Sequence, residues 1–274
     1  MYTSTNKPRI MGVLNVTPDS FSDGGHHYRN VDSAVQRAQY MMLQNVDIID
    51  VGGESTRPGS DPVPALEQIR RIVPVIQAIR EQDDVLISVD TSDSNVAEAA
   101  IEAGANMIND VSGGLNDARI LTVAATENVP IVLMHSKGSP KTMQINPYYE
   151  NVVQEVIEAL QQRVNAALDA GVKREHIILD VGIGFGKRKQ DNLDLLAHLA
   201  DVVALGFLVL LGTSRKRFMG DICNVIEPSE LVTATVVTTA LGVMAGVSIF
   251  RVHDIKENRQ AVDVAWAIKQ SHGV

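Results

Sequence analysis

The stretch VLISVDTSDSNVAEAAIEAGANMINDV, residues 85–111, holds in one unit the pattern that decides the fold. A short apolar run at 85–89 passes through polar residues into a longer segment of helical period, and a second run follows at 105–111. Such runs, continuous rather than alternating, suit parallel strands buried on both faces. Working outward in both directions, the same unit recurs. Runs rich in Val, Ile and Leu stand at 10–14, 46–51, 130–134, 177–181, 207–211 and 247–252, which makes eight in all. The segments between them carry helical stripes. Val153, Val156, Ile157, Leu160, Val164, Ala167 and Leu168 fall on one helix face, Gly171 follows as a stop, and Pro228 suits the first turn of the seventh helical segment. Eight units in 274 residues give about 34 residues per unit, the size of one βαβ step. The expected class is α/β, a single (β/α)8 barrel domain over 1–274, with its active site at the C-terminal ends of the strands. A doubly wound open sheet is the alternative closure of the same pattern.

Composition narrows the function. Twenty-four Lys and Arg stand against 33 Asp and Glu, a formal net charge of −9, which disfavours nucleic acid as a partner. The lone cysteine, Cys223, has no intramolecular disulfide partner, and the start MYTSTNKPR shows no signal-like apolar stretch, so a cytoplasmic setting is expected. Residues 231–250 carry no charge over twenty positions, about the length of a membrane span. Four threonines and two glycines dilute that segment, which reads instead as a buried helix running into a strand, with no membrane association.

Each apolar run closes on a polar side chain: Asn15, Asp50, Asp90, Asn109, His135, Asp180, Ser214, and the pair Arg251 and His253. In a parallel barrel these ends share one mouth. Asp90, Asn109 and Asp180 together suit a planar heterocycle with several N–H donors, because a carboxylate accepts two parallel N–H bonds and an Asn amide both donates and accepts. No HxH, CxxC or HExxH spacing marks a zinc cage, whereas a hard cation shared with substrate phosphates needs only one or two protein oxygens. The cationic TSRKR at 213–217 and Arg251 with His253 point to an anion. VGIGFGK at 181–187 has neither dinucleotide nor P-loop spacing and says only that backbone passes close to something. Two loops rich in turn residues, 15–25 and 52–62, read as lids over the mouth.

With these residues in view the sequence closely resembles the bacterial dihydropteroate synthases. The matching blocks are MGVLNVTPDSFSDGG, DIIDVGGESTRPGS, ISVDTS, MINDVSGG, IVLMH, GIGFGK, TSRKRF and FRVHDI, in order from residue 11 to 255. The resemblance implies a TIM barrel that joins 6-hydroxymethyl-7,8-dihydropterin diphosphate to 4-aminobenzoate in folate biosynthesis, with Mg²⁺. It implies Asn15 as the Mg²⁺ ligand and Thr56, Asp90, Asn109, Asp180, Lys216, Arg251 and His253 as pterin diphosphate contacts. Of these, Asp90, Lys216, Arg251 and His253 form the implied catalytic set. Phe185, Ser214 and the loop around Phe21 and Pro58 would surround the aminobenzoate, and Arg57, Val111, Met134 and Gly212 complete the implied substrate-binding set. Val181, Asp93 and the pair Ser136-Lys137 depart from the residues frequent in the family at those places. The alternatives are a pterin-dependent methyltransferase and a catalytically silent pterin-binding paralogue; GGESTRPG and TSRKR argue against the first, and the full set of contacts against the second. The helix expected over 230–245 lacks charge beyond Glu230 although a barrel helix should keep a polar outer face, so a homodimer is expected.

Overall fold

The computed structural model describes residues 6–17, 27–55, 60–138, 143 and 146–271. The first half of the chain runs β1 (Arg9–Asn15), α1 (His27–Leu43), β2 (Ile48–Gly52), α2 (Ala65–Arg80), β3 (Leu86–Asp90), α3 (Ser94–Glu102), β4 (Met107–Asp110) and α4 (Arg119–Thr126). The second half runs β5 (Ile131–Met134), α5 (Val152–Asp169), β6 (Ile177–Asp180), α6 (Lys189–Ala197), α7 (Leu199–Val203), β7 (Leu208–Leu211), α8 (Arg217–Cys223), α9 (Val232–Ala245), β8 (Ile249–Val252) and α10 (Ile255–Ser271). The strands are parallel in the order of the sequence, and β8 pairs back on β1 with Met11 beside Arg251, closing the barrel. The open-sheet alternative is thereby excluded.

All eight apolar runs became strands, each buried on both faces. Alternation along them divides the interior into two cores. One face, which includes Ile10, Ile49, Ile87, Ile108, Leu133, Leu179, Leu211 and Phe250, packs against the helices. The other face fills the barrel with Met11, Ile48, Met107, Val132, Ile178, Leu208, Leu210 and Ile249. This apolar plug supports whatever lies above it.

Helix ends follow local chemistry. The stripe read from Val153 became α5, and Gly171 sits beyond it at φ 93°, the left-handed conformation that glycine adopts without strain. Pro228 opens a separate 3₁₀ turn, Pro228–Glu230, and α9 starts only at Val232, so the helix expected over 230–245 is shorter at its front. Among the described residues no helix is long and apolar enough to cross a membrane.

Candidate active site

Continuing the alternation of the plug by one or two steps builds the site. Beyond Ile48 comes Asp50, beyond Leu86 come Ser88 and Asp90, beyond Met107 Asn109, beyond Ile178 Asp180, and beyond Ile249 Arg251. Met134 and Gly212 hold the equivalent places after Val132 and Leu210. Residues two apart share a strand face, so a polar layer caps the plug at the C-terminal ends.

Arg251 ties this layer together. Its Nε donates to Asp50 Oδ2 at 2.6 Å and its Nη2 to Asp90 Oδ2 at 2.7 Å. Asn109 Nδ2 donates to the same Asp50 oxygen at 3.0 Å. Burial pushes the Asp90 carboxyl up to about 7 in spite of Arg251, and the Asp50, Asp110 and Glu54 carboxylates add to the rise. Asp50 Oδ1, Asp90 Oδ1 and Ser88 Oγ are buried without a hydrogen-bond partner among the described residues. The layer is therefore rich in acceptors, and a donor-rich ligand would satisfy them.

Across the mouth, Asp180 Oδ1 accepts from Gly182 N at 2.7 Å. Its Oδ2 lies toward Gly212, 4.0 Å from where a Cβ would stand there. Burial raises the Asp180 carboxyl above the usual carboxylate range, while the Gly182 N–H, Lys216, Lys187 and Arg251 draw it back. The Lys216 side chain crosses Gly184, whose Cβ, if present, would meet Lys216 Cδ at 3.1 Å, and ends 4.2 Å from the centre of the Phe185 ring. Burial, then Arg251, lowers Lys216 to about 8. The glycine string thus runs close beneath a lysine.

Ser214 and His253 are joined. The His253 backbone N–H donates to Ser214 Oγ at 3.1 Å, and that hydroxyl meets His253 Nδ1 at 2.9 Å. With the hydroxyl donating to Nδ1, a neutral His253 carries its proton on Nε2. Between Ser214 and Lys216, Arg215 adopts φ 58° and forks onto Asp254 at 3.0 and 2.5 Å, which pins the turn after β7 to the end of β8. Neither this pair nor Asp50 was among the expected contacts. For Asp50 the available signal was its alternation with Ile48.

Asn15 closes β1 in register with Gly52, which in turn pairs with Asp90. A Cβ on Gly52 would stand 3.6 Å from Asn15 Oδ1 and 3.7 Å from Asp90 Oδ2, so two oxygen donors flank a glycine that leaves the space between them open. Val111 is half-buried beyond β4, in a turn held by Asp110, which accepts from Ser112 N, Ser112 Oγ and Gly114 N. Phe21, Thr56, Arg57 and Pro58, with residues 18–25 of the first expected lid and 56–59 of the second, lie outside the described residues. The departures from the family pattern have local roles. Asp93 caps α3 by accepting from Asn95 N and Val96 N, Lys137 lies over the Tyr149 ring at 4.1 Å, and Val181 is fully buried.

Fold and site define a barrel enzyme with an acidic, arginine-bridged mouth, flanked by a lysine and a serine–histidine pair. Residues 11–253 match the family described as pterin binding enzyme. The chain is 47% identical to the dihydropteroate synthase of Clostridium beijerinckii, over 92% of this chain and 91% of that protein. Two solved structures from Xanthomonas albilineans are also similar. Dihydropteroate synthase with 4-aminobenzoic acid matches at TM-score 0.90 and 42% identity over 96% of this chain and 94% of that one. The complex with 7,8-dihydropteroate matches at TM-score 0.87 and 39% identity over 98% and 95%. The chain belongs to the dihydropteroate synthase family of pterin-binding barrels.

Proposed function

We propose that this protein joins 6-hydroxymethyl-7,8-dihydropterin diphosphate to 4-aminobenzoate, giving 7,8-dihydropteroate and pyrophosphate in folate biosynthesis. The observation that carries the reading is the acceptor-rich polar layer in a chain whose relatives hold 4-aminobenzoic acid and 7,8-dihydropteroate. Asp180 and Asn109 accept and exchange hydrogen bonds with the pterin edge, and Lys216 donates to its acceptors. The carbon bearing the diphosphate is attached to an electron-rich ring, so departure of the leaving group develops positive charge there. Ionised Asp90 stabilises that charge, while the Arg251 guanidinium and His253 stabilise the leaving group. The aromatic amine is unprotonated at neutral pH and attacks without a strong general base. Its surplus proton passes to water or pyrophosphate.

Asn15, whose Oδ1 lies beside Gly52, fits a Mg²⁺ ion carried mainly by the diphosphate, the usual mode for this ion. When bound, Mg²⁺ would neutralise the leaving diphosphate. The chain's only cysteine, Cys223, is exposed and unpaired, which supports a cytoplasmic setting. The protein acts as a homodimer in this reading, supported by an apolar stripe of Val237, Leu241 and Met244 on α9 beside Val264 and Ile268 of α10, all exposed.

A pyrophosphate-release assay tests the activity. Release should require both substrates; binding of the pterin diphosphate without release would instead identify a silent paralogue.

A further inference from the structure

The glycine string between Asp180 and α6 is held by side chains on its carbonyls. Lys187 is buried, 3% exposed, and its Nζ reaches Gly182 O at 2.9 Å, Phe185 O at 3.1 Å, His135 O at 3.2 Å and His135 Nδ1 at 2.9 Å. Tyr149 Oη donates to Gly186 O at 2.9 Å, and Asn192 Oδ1 accepts from Gly184 N at 2.7 Å. The loop also presses on the segment after β5: a Cβ would stand 1.9 Å from His135 O at Gly182 and 2.1 Å from Lys137 O at Gly186. A run with three left-handed glycines is costly to hold in one shape, and an ammonium offers three directed donors at its centre.

A buried ammonium with no carboxylate in hydrogen-bond contact among the described residues is an expensive way to fill space that Met would fill. What it gains is position. The loop starts at Asp180 and carries the Phe185 ring beneath Lys216. We propose that Lys187, with Tyr149, is a positioning residue that fixes the Phe185 loop and thereby sets the affinity for the aromatic amine. The inference rests on the reaction proposed above and on the family resemblance, which implies that Phe185 borders the aminobenzoate, and it assigns these two residues a part in that reaction. Removing Lys187 frees the Phe185 carbonyl and lets the ring leave the amine subsite, while Asp180, anchored at the end of β6, keeps its place.

Lys187→Met and Tyr149→Phe test the inference by steady-state kinetics with each substrate varied in turn. Loss of a charge-assisted hydrogen bond corresponds to about a tenfold effect or more. Lys187→Met should raise KM for 4-aminobenzoate by at least about tenfold with KM for the pterin diphosphate within about twofold, and Tyr149→Phe should shift the same constant by about threefold. Hydrogen exchange at the Gly184 and Phe185 amides should quicken in both. Unchanged constants, or equal loss toward both substrates in step with the unfolded fraction, would overturn the proposal. If Lys187→Met does not fold, Tyr149→Phe decides alone, an unchanged KM for the amine counting against it. If the wild-type protein releases no pyrophosphate, the functional reading fails, and the loop clamp is judged separately by the exchange rates.

Discussion

At the residue scale, Asp90 is caught between opposing demands. Stabilising a developing cation needs its ionised form, whereas burial raises it to about 7. kcat/KM should therefore fall as pH drops through about 7, seen as an acid limb that Asp90→Asn abolishes together with most activity. The sign for stability is opposite. A carboxyl held above its unfolded value of 3.8 contributes stability that is present below that value and lost as pH rises through about 7. Asp90→Asn should thus stabilise the ligand-free protein at pH 8 by on the order of 2 kcal/mol, and by less than half as much at pH 5, measured by urea unfolding. The pair proposed to read the pterin behaves differently. Asp180→Asn and Lys216→Ala should each cost at least about 2 kcal/mol of transition-state binding, the scale of an unpaired buried partner. Near-normal kcat/KM in both would sink the pocket assignment. Asp90, Asn109 and Asp180 were legible as members of the polar layer because each ends or nearly ends an apolar run. Asp50 ends one too, yet its tie to Arg251 spans 201 residues and only the closed barrel reveals it.

At the element scale, the loop after β6 makes its glycines unequal. Gly182 sits at φ 66° with a carbonyl 1.9 Å from any added Cβ, whereas Gly206 sits at φ 76° with nothing nearer than Arg174 Nη2 at 3.6 Å. Gly206→Ala should cost only left-handed strain, about 1 kcal/mol, while Gly182→Ala should cost several and depress activity by displacing Asp180. Thermal melts and kcat/KM of the two variants check this; equal costs would refute the clash. In the sequence the string announced only a close approach of backbone. Its partners His135 and Tyr149 come from elsewhere in the chain, and no spacing encodes a lysine folding back over its own loop. Strands were easier to read, since burial on both faces leaves little but Val, Ile and Leu. The boundary of α9 was harder, because Pro228 suits a 3₁₀ turn as well as a first helical turn.

At the scale of the whole molecule, the chain of 29.7 kDa should sediment near twice that mass at micromolar concentration. Leu241→Glu, in the middle of the exposed stripe on α9, should return it to the monomer, and a wild-type monomer would exclude the dimer. The barrel's closure has another consequence, for the order in which the protein is made. Asp50 and Asp90 leave the ribosome 201 and 161 residues ahead of the guanidinium that will serve both. Until then they have no Arg251 to offset the cost of leaving water, so a nascent chain has reason to keep the ends of β2 and β3 wet. Synthesis must reach the eighth strand before the first three can be sealed. The catalytic mouth is thus the last region to mature, and a chain released early carries its own fault in two unpaired carboxylates.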